Sequence, residues 1–238
     1  LQDNSGNLLD GFHRCHAVIA SGVTIPYIPV EGDGSMFDVI DQGRQRTLPQ
    51  VLATKGVDHP VSVAAAITAA STFERLNAVG TYGHGGSYKG RNRTMQEKLQ
   101  LFDLHPDLQP ISIEIGNRRS GASVRYPGGW VSALQSIANE IALGENFATF
   151  VDGVFTGVGL DANNPAYVLR RRLLKLQSGS NRASQTVVEK GFWVITWNNY
   201  AIGREMSHLT WGTPSTGPKA FPKPLGLEEW STGWYPSD

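Results

Sequence analysis

The chain has 238 residues, enough for one large or two small domains. Its 21 Lys and Arg balance 21 Asp and Glu, so a formal net charge of zero excludes bulk attraction to nucleic acid or acidic lipid, and any such contact must come from a local patch. The single cysteine, Cys15, excludes an internal disulfide, and no apolar run approaches the ~20 residues of a membrane span; a soluble protein of a reducing, cytoplasmic compartment, making no membrane contact, is expected.

The residues Leu1 to Leu9 read as the interior of a fold, because Asp3-Asn4-Ser5-Gly6-Asn7 forms a turn feeding the short apolar run Leu8-Leu9. Asp10-Gly11 makes a tight exit. Phe12, Cys15, Val18 and Ile19 then recur at helical spacing up to Gly22, which predicts one three-turn helix with Cys15 as a small buried hydrophobe on its apolar stripe. Val23 to Val30 is rich in β-formers, but Pro26 and Pro29 remove two ladder donors, so an edge strand or a strand that ends early is predicted.

From Ser35 the period turns helical. Met36 to Gln42 and Leu48 to Lys55 are predicted short helices closed by Gly43 and Gly56, with Thr47 as an N-cap and Pro49 tolerated in a first turn. Pro60 to Val79 is a long helix whose stripe of Ala66, Ala69, Ala70, Phe73 and Leu76 predicts close helix packing. A Gly-rich, basic and aromatic loop covers Tyr82 to Arg93. Helices follow over Thr94 to Leu104, Asp107 to Ile115, Trp130 to Leu143 and Phe147 to Val158. Ala166, Leu169, Leu173 and Leu176 mark another, and Ser184 to Ile202 carries Val188, Phe192, Ile195 and Ile202. Trp193, Trp197 and Tyr200 line up at helical spacing and are assigned to the core, and beyond Gly203 a tail rich in Trp, Gly and Pro reads as irregular.

The turn Asp10-Gly11-Phe12-His13-Arg14 is the strongest candidate site. A glycine leading into a helix presents backbone N–H groups and the positive dipole end to an anion, which suits phosphate, and Arg14 can add a bidentate contact. An ordinary strand-to-helix turn with a solvated Arg14 fits the same spacing. His13 and His16 lie three apart, but no third ligand follows at matching spacing, so no metal site is expected. Arg44 and Arg46 could reach a phosphate or a DNA backbone. Lys89, Arg91 and Arg93, interleaved with His84 and Tyr88, have the mixture of rings and cations that single-stranded nucleic acid surfaces use. Arg170, Arg171 and Arg172, with Lys175, read as a solvated face.

Leu8 to Val30 (LLDGFHRCHAVIASGVTIPYIPV) resembles the closing half of the ParB and sulfiredoxin superfamily domain, in which Gly-x-x-Arg-x-x-Ala opens a helix followed by a final strand. Val39 to Thr47, Asp161 to Pro165 with Leu169 to Leu173, and Trp197 to Tyr200 with Gly203 and Arg204 are similar to ParB-like proteins of tailed bacteriophages and actinobacteria, where an Asp-Gly-Gln-His-Arg version of the motif leads a helical domain. The resemblance implies an α+β fold: a partial ParB-like α/β module over residues 1–34, its first half expected upstream, a predominantly helical domain over 35–205 and an irregular tail over 206–238. It also implies nucleoside-phosphate binding, with Gly11, His13 and Arg14 at the phosphate and Ala17 at the packing position. NTP hydrolysis or phosphotransfer in DNA metabolism or modification would go with a nucleoside triphosphate carrying Mg2+, in a bacterial host cell. Phe12 stands where sulfiredoxins place the catalytic cysteine, which excludes their reaction. Two other readings compete: a DNA-binding or nuclease-like protein without nucleotide turnover, using Arg44, Arg46, Lys89, Arg91 and Arg93, and a structural or assembly protein.

Overall fold

The computed structural model describes residues 6, 8, 11–27, 46–79, 93–118, 124–177, 182–211 and 221–230, the side chains of 74–79 and 182–187 excepted. The predicted helix at Met36 to Gln42 and nearly all of the Tyr82 to Arg93 loop lie outside these residues. The chain divides into two units, Leu1–Lys55 and Gly56–Asp238.

In the first unit, α1 (Phe12–Ser21) starts at Gly11 and ends at Gly22, both in the left-handed region with φ of 99° and 66°. These are the boundaries the glycines predict, because each needs a backbone angle that a side chain disfavours. The contents of the stripe differ from expectation. No residue of α1 is buried, Cys15 is exposed rather than a buried hydrophobe, and Ala17, the packing position of the resemblance, is exposed as well. The α+β expectation fails too: the structure is helical, without a sheet among the described residues. Residues 23–27 follow α1 without joining a ladder, and Leu8 makes only an isolated bridge. Pro26 withholds a donor, and the β-forming side chains Val23, Ile25 and Tyr27 remain exposed, so nothing in the burial of this segment favours pairing. The partial α/β module is therefore not the frame of α1. α2 (Leu48–Thr54) is built as predicted: Gln50 accepts from the Thr47 backbone N–H at 2.8 Å, and Pro49 occupies the first turn.

The second unit is a helical bundle. α3 (Pro60–Val79) buries Val63, Ala66, Ile67, Ala70 and Phe73 completely, and α4 (Met95–Leu104) and α5 (Leu108–Arg118) lie against it. α6 (Gly128–Glu140) is the central element: nine consecutive residues from Trp130 to Ala138 are buried, so no face is left for water. Small side chains make that possible. Gly129 sits directly against the backbone of Ala65 on α3, a close approach of the two helices. Beyond α6, three helices pack on one another: α7 (Gly144–Thr156), α8 (Pro165–Gln177) and α9 (Arg182–Ala201). Their seam is aromatic. Trp197 meets Phe147 edge-on at 4.8 Å and Phe150 at 5.8 Å, Trp193 meets Phe150 at 5.9 Å, and both indoles are fully buried.

The C-terminal segment is more than an irregular tail. α10 (Leu227–Trp230) buries Leu227 and Trp230; the Trp230 indole donates to the Ser136 hydroxyl at 3.0 Å and stacks on His105 at 4.0 Å. Burial in that stack holds the His105 imidazole below its ordinary value, against the pull of Asp107 and Glu140.

A charged pair on α9 sets a pH dependence. Burial pushes the Glu189 carboxyl up to about 7, against Lys190 and Arg125, and pushes the Lys190 ammonium down. The Lys190 ammonium sits 5.1 Å from the centre of the Trp130 ring, whose N–H donates to the Lys190 carbonyl at 3.2 Å. A carboxyl raised by folding holds a proton that the unfolded chain releases from about pH 4.5 upward. Its contribution is fully present below that pH and is lost as pH rises through about 7. Glu189→Gln should remove this loss and raise stability at pH 8 by about 2 kcal/mol, less than the whole shift gives because the carboxyl keeps some water. Denaturation midpoints of both proteins from pH 4 to 8 check this; parallel curves would refute it.

Candidate functional site

Gly11 holds the start of α1 in a left-handed turn and its carbonyl accepts from the Cys15 N–H at 2.9 Å. Having no side chain, it supplies no oxygen to cap the first-turn N–H groups, and no acidic residue lies in that turn. The first turn of α1 itself thus holds no carboxylate, and the positive end of the helix lies there. Contrast α4, where Glu97 accepts from the Thr94 backbone N–H at 2.6 Å and Thr94 returns the bond at 3.2 Å.

Three of the predicted residues thus come together on one exposed turn: Gly11 at the cap, His13 and Arg14 in the first turn. The structure adds two more. Phe12, 62% exposed, lays its ring against His16 at 4.4 Å and meets His13 edge-on at 6.1 Å, so an aromatic surface adjoins the turn. Sequence reasoning treated Phe12 only as a departure from a motif and as part of an apolar stripe; its exposure is the signal that was missing.

Arg44, Lys89 and Arg91 lie outside the described residues, while Arg46 and Arg93 are half-buried and belong to different units.

The cations of α8 are not one solvated face. Arg170 folds back over the end of α7 and donates to the carbonyls of Val154 and Phe155, at 2.9 and 2.5 Å. Those are carbonyls of a last helical turn, and a cation there also opposes the negative end of the helix. Arg172 is half-buried over the Phe192 ring at 5.4 Å. Only Arg171 and Lys175 stay exposed, and Arg171 donates to the Ser207 carbonyl at 3.1 Å. Together with Val168, His208 and Leu209 they line an open cleft of about 150 Å³.

Among the described residues no three His, Cys, Asp or Glu side chains are grouped so as to hold a metal ion. No helix among them is long and apolar enough to cross a membrane. Comparison with protein-family models, with curated proteins and with solved structures finds no match to this chain.

Proposed function

We propose that this chain binds a nucleoside phosphate in the cytoplasm, with the phosphate over the start of α1 and the base against Phe12. The left-handed Gly11 turn, opening a helix whose first turn holds His13 and Arg14 and no acid, carries the proposal. Backbone N–H groups at a helix start and the positive dipole end favour an anion. Arg14 suits phosphate because its planar fork can donate two parallel bonds. The exposed Phe12 ring favours a nucleoside over a bare phosphate, because every base offers a face for stacking. Likeness of Leu8 to Val30 to the ParB and sulfiredoxin motif supports the same ligand, although the reading rests on the turn's own chemistry and not on an α/β frame. Mg2+ would arrive with a triphosphate; the described side chains form no cluster to hold it, and no hydrolytic or transfer step is assigned.

Thermal unfolding with a panel of nucleoside di- and triphosphates, with and without Mg2+, tests the proposal. A ligand at ~100 times its dissociation constant that binds only the native state stabilises by about 2.7 kcal/mol. Arg14→Ala should abolish that shift. Phe12→Ala should weaken a nucleotide roughly tenfold, about 1.4 kcal/mol within the range for one stacked base, and leave inorganic pyrophosphate unchanged. No shift with any nucleotide defeats the reading. Binding to DNA that falls steeply with added salt would replace it with backbone recognition.

A further inference from the structure

The cleft beside α8 lies wholly within the second unit, and the nucleoside-phosphate proposal does not use it. Four of its six lining residues, Arg171, Arg172, Lys175 and His208, are basic or can become so; the other two, Val168 and Leu209, are apolar, and no acid lines it. Arg171 and Arg172 form no ion pair with a carboxylate among the described residues, and the Nε of Arg172 is buried without a hydrogen-bond partner there. Cationic side chains at a protein surface ordinarily mix with acids, so a concave cluster of one sign holds a local positive potential although the chain as a whole is neutral.

The arrangement is built from two separate segments. Arg171, Arg172 and Lys175 share little more than one turn of α8, and His208 is brought to them by the segment after α9, which the bond from Arg171 to the Ser207 carbonyl ties down. The Ser207 hydroxyl lies 3.0 Å from His208 Nδ1 and fixes the ring through that nitrogen, leaving Nε2 for another partner. Arg171 spends one N–H on Ser207 and has four more to donate.

We propose that this cleft binds a terminal phosphate group, as inorganic phosphate or as a monoester. Its dianionic oxygens would be held by Arg171, Lys175 and His208. Compactness decides for a single phosphate and against a nucleic acid backbone, which needs a track of cations spaced along successive phosphates.

Calorimetric titration of the full chain with phenyl phosphate, inorganic phosphate and a single-stranded oligonucleotide at matched ionic strength tests this. Phenyl phosphate and inorganic phosphate should both bind, and Arg171→Gln with Lys175→Gln should weaken both at least about tenfold, the loss of charge-assisted bonds. Both replaced residues are exposed, and an unchanged unfolding midpoint confirms that the variant folds. Arg14→Ala should leave this binding unaffected, which separates the cleft from the α1 turn. Loss on Arg14→Ala with retention in the double variant would overturn the cleft while upholding the turn. Absence of phenyl phosphate binding to the unaltered chain would overturn it, as would an oligonucleotide affinity that climbs with length and depends on Arg171 and Lys175.

Discussion

Trp197→Ala should lower the stability of the second unit by about 3–5 kcal/mol, the largest effect expected of any substitution here. The indole is fully buried on α9 and touches Phe147 and Phe150 of α7, so its removal opens a cavity where two helices meet. Phe150 cannot follow it freely, because it is held in turn by Trp193 and Tyr200. For a unit of this size the midpoint should fall on the order of 10 °C. Trp197→Phe is the informative partner. Among the described residues the Trp197 N–H has no acceptor, so phenylalanine removes an unsatisfied donor together with part of the ring. Its cost should be about 1 kcal/mol. A Phe variant as unstable as the Ala variant would mean that the N–H bond matters and that this account of the seam is wrong.

Gly129→Val should cost about 3 kcal/mol, by overpacking instead of by a void. A Cβ there would stand 2.5 Å from the carbonyl oxygen of Ala65 and close on its carbonyl carbon as well. Those are backbone atoms of α3, so no rotamer change relieves the clash and the two helices must part. Gly128, one residue earlier, supplies the control: a Cβ there meets only a Tyr126 ring carbon, at 3.7 Å. Gly128→Ala should therefore leave stability unchanged or raise it slightly, since alanine has less freedom to lose on folding. Chemical denaturation of both variants checks the pair, and equal midpoints would refute close contact between α3 and α6.

The limits of α1, the Thr47 cap of α2, the buried stripe of α3 and the aromatic seam of α9 were all legible in the sequence. Each depends on local rules, namely where a left-handed glycine fits, which side chain caps a helix, and which positions share a face. What was not legible depends on partners far along the chain. Periodicity places Phe12, Cys15 and Ile19 on one face of α1 but cannot say whether anything covers that face, and nothing buries them. Val23 to Tyr27 has the composition of a strand, yet a strand requires a neighbour to pair with, and 23–27 joins none. Arg170 looked like its neighbours in sequence until α7, some fifteen residues earlier, supplied carbonyls within its reach. The cleft shows the same thing in functional form: the arginines and lysine are adjacent in sequence, but His208 arrives from a segment more than thirty residues later.

The docking of Trp230 has a consequence for the order of events on the ribosome. Its indole bonds to Ser136 across 94 positions of sequence and its ring covers His105 from farther still. The helices from Pro60 to Ala201 can emerge and collapse before that residue exists. Until it does, Ser136 on α6 and the His105 imidazole lack the ring that covers them. This closure therefore waits until Trp230 has left the exit tunnel, a long-range contact that forms more slowly than the local helices preceding it. A stop codon just before Phe221 would not trim a tail. It would leave the bundle without the ring that bonds to Ser136 and stacks on His105.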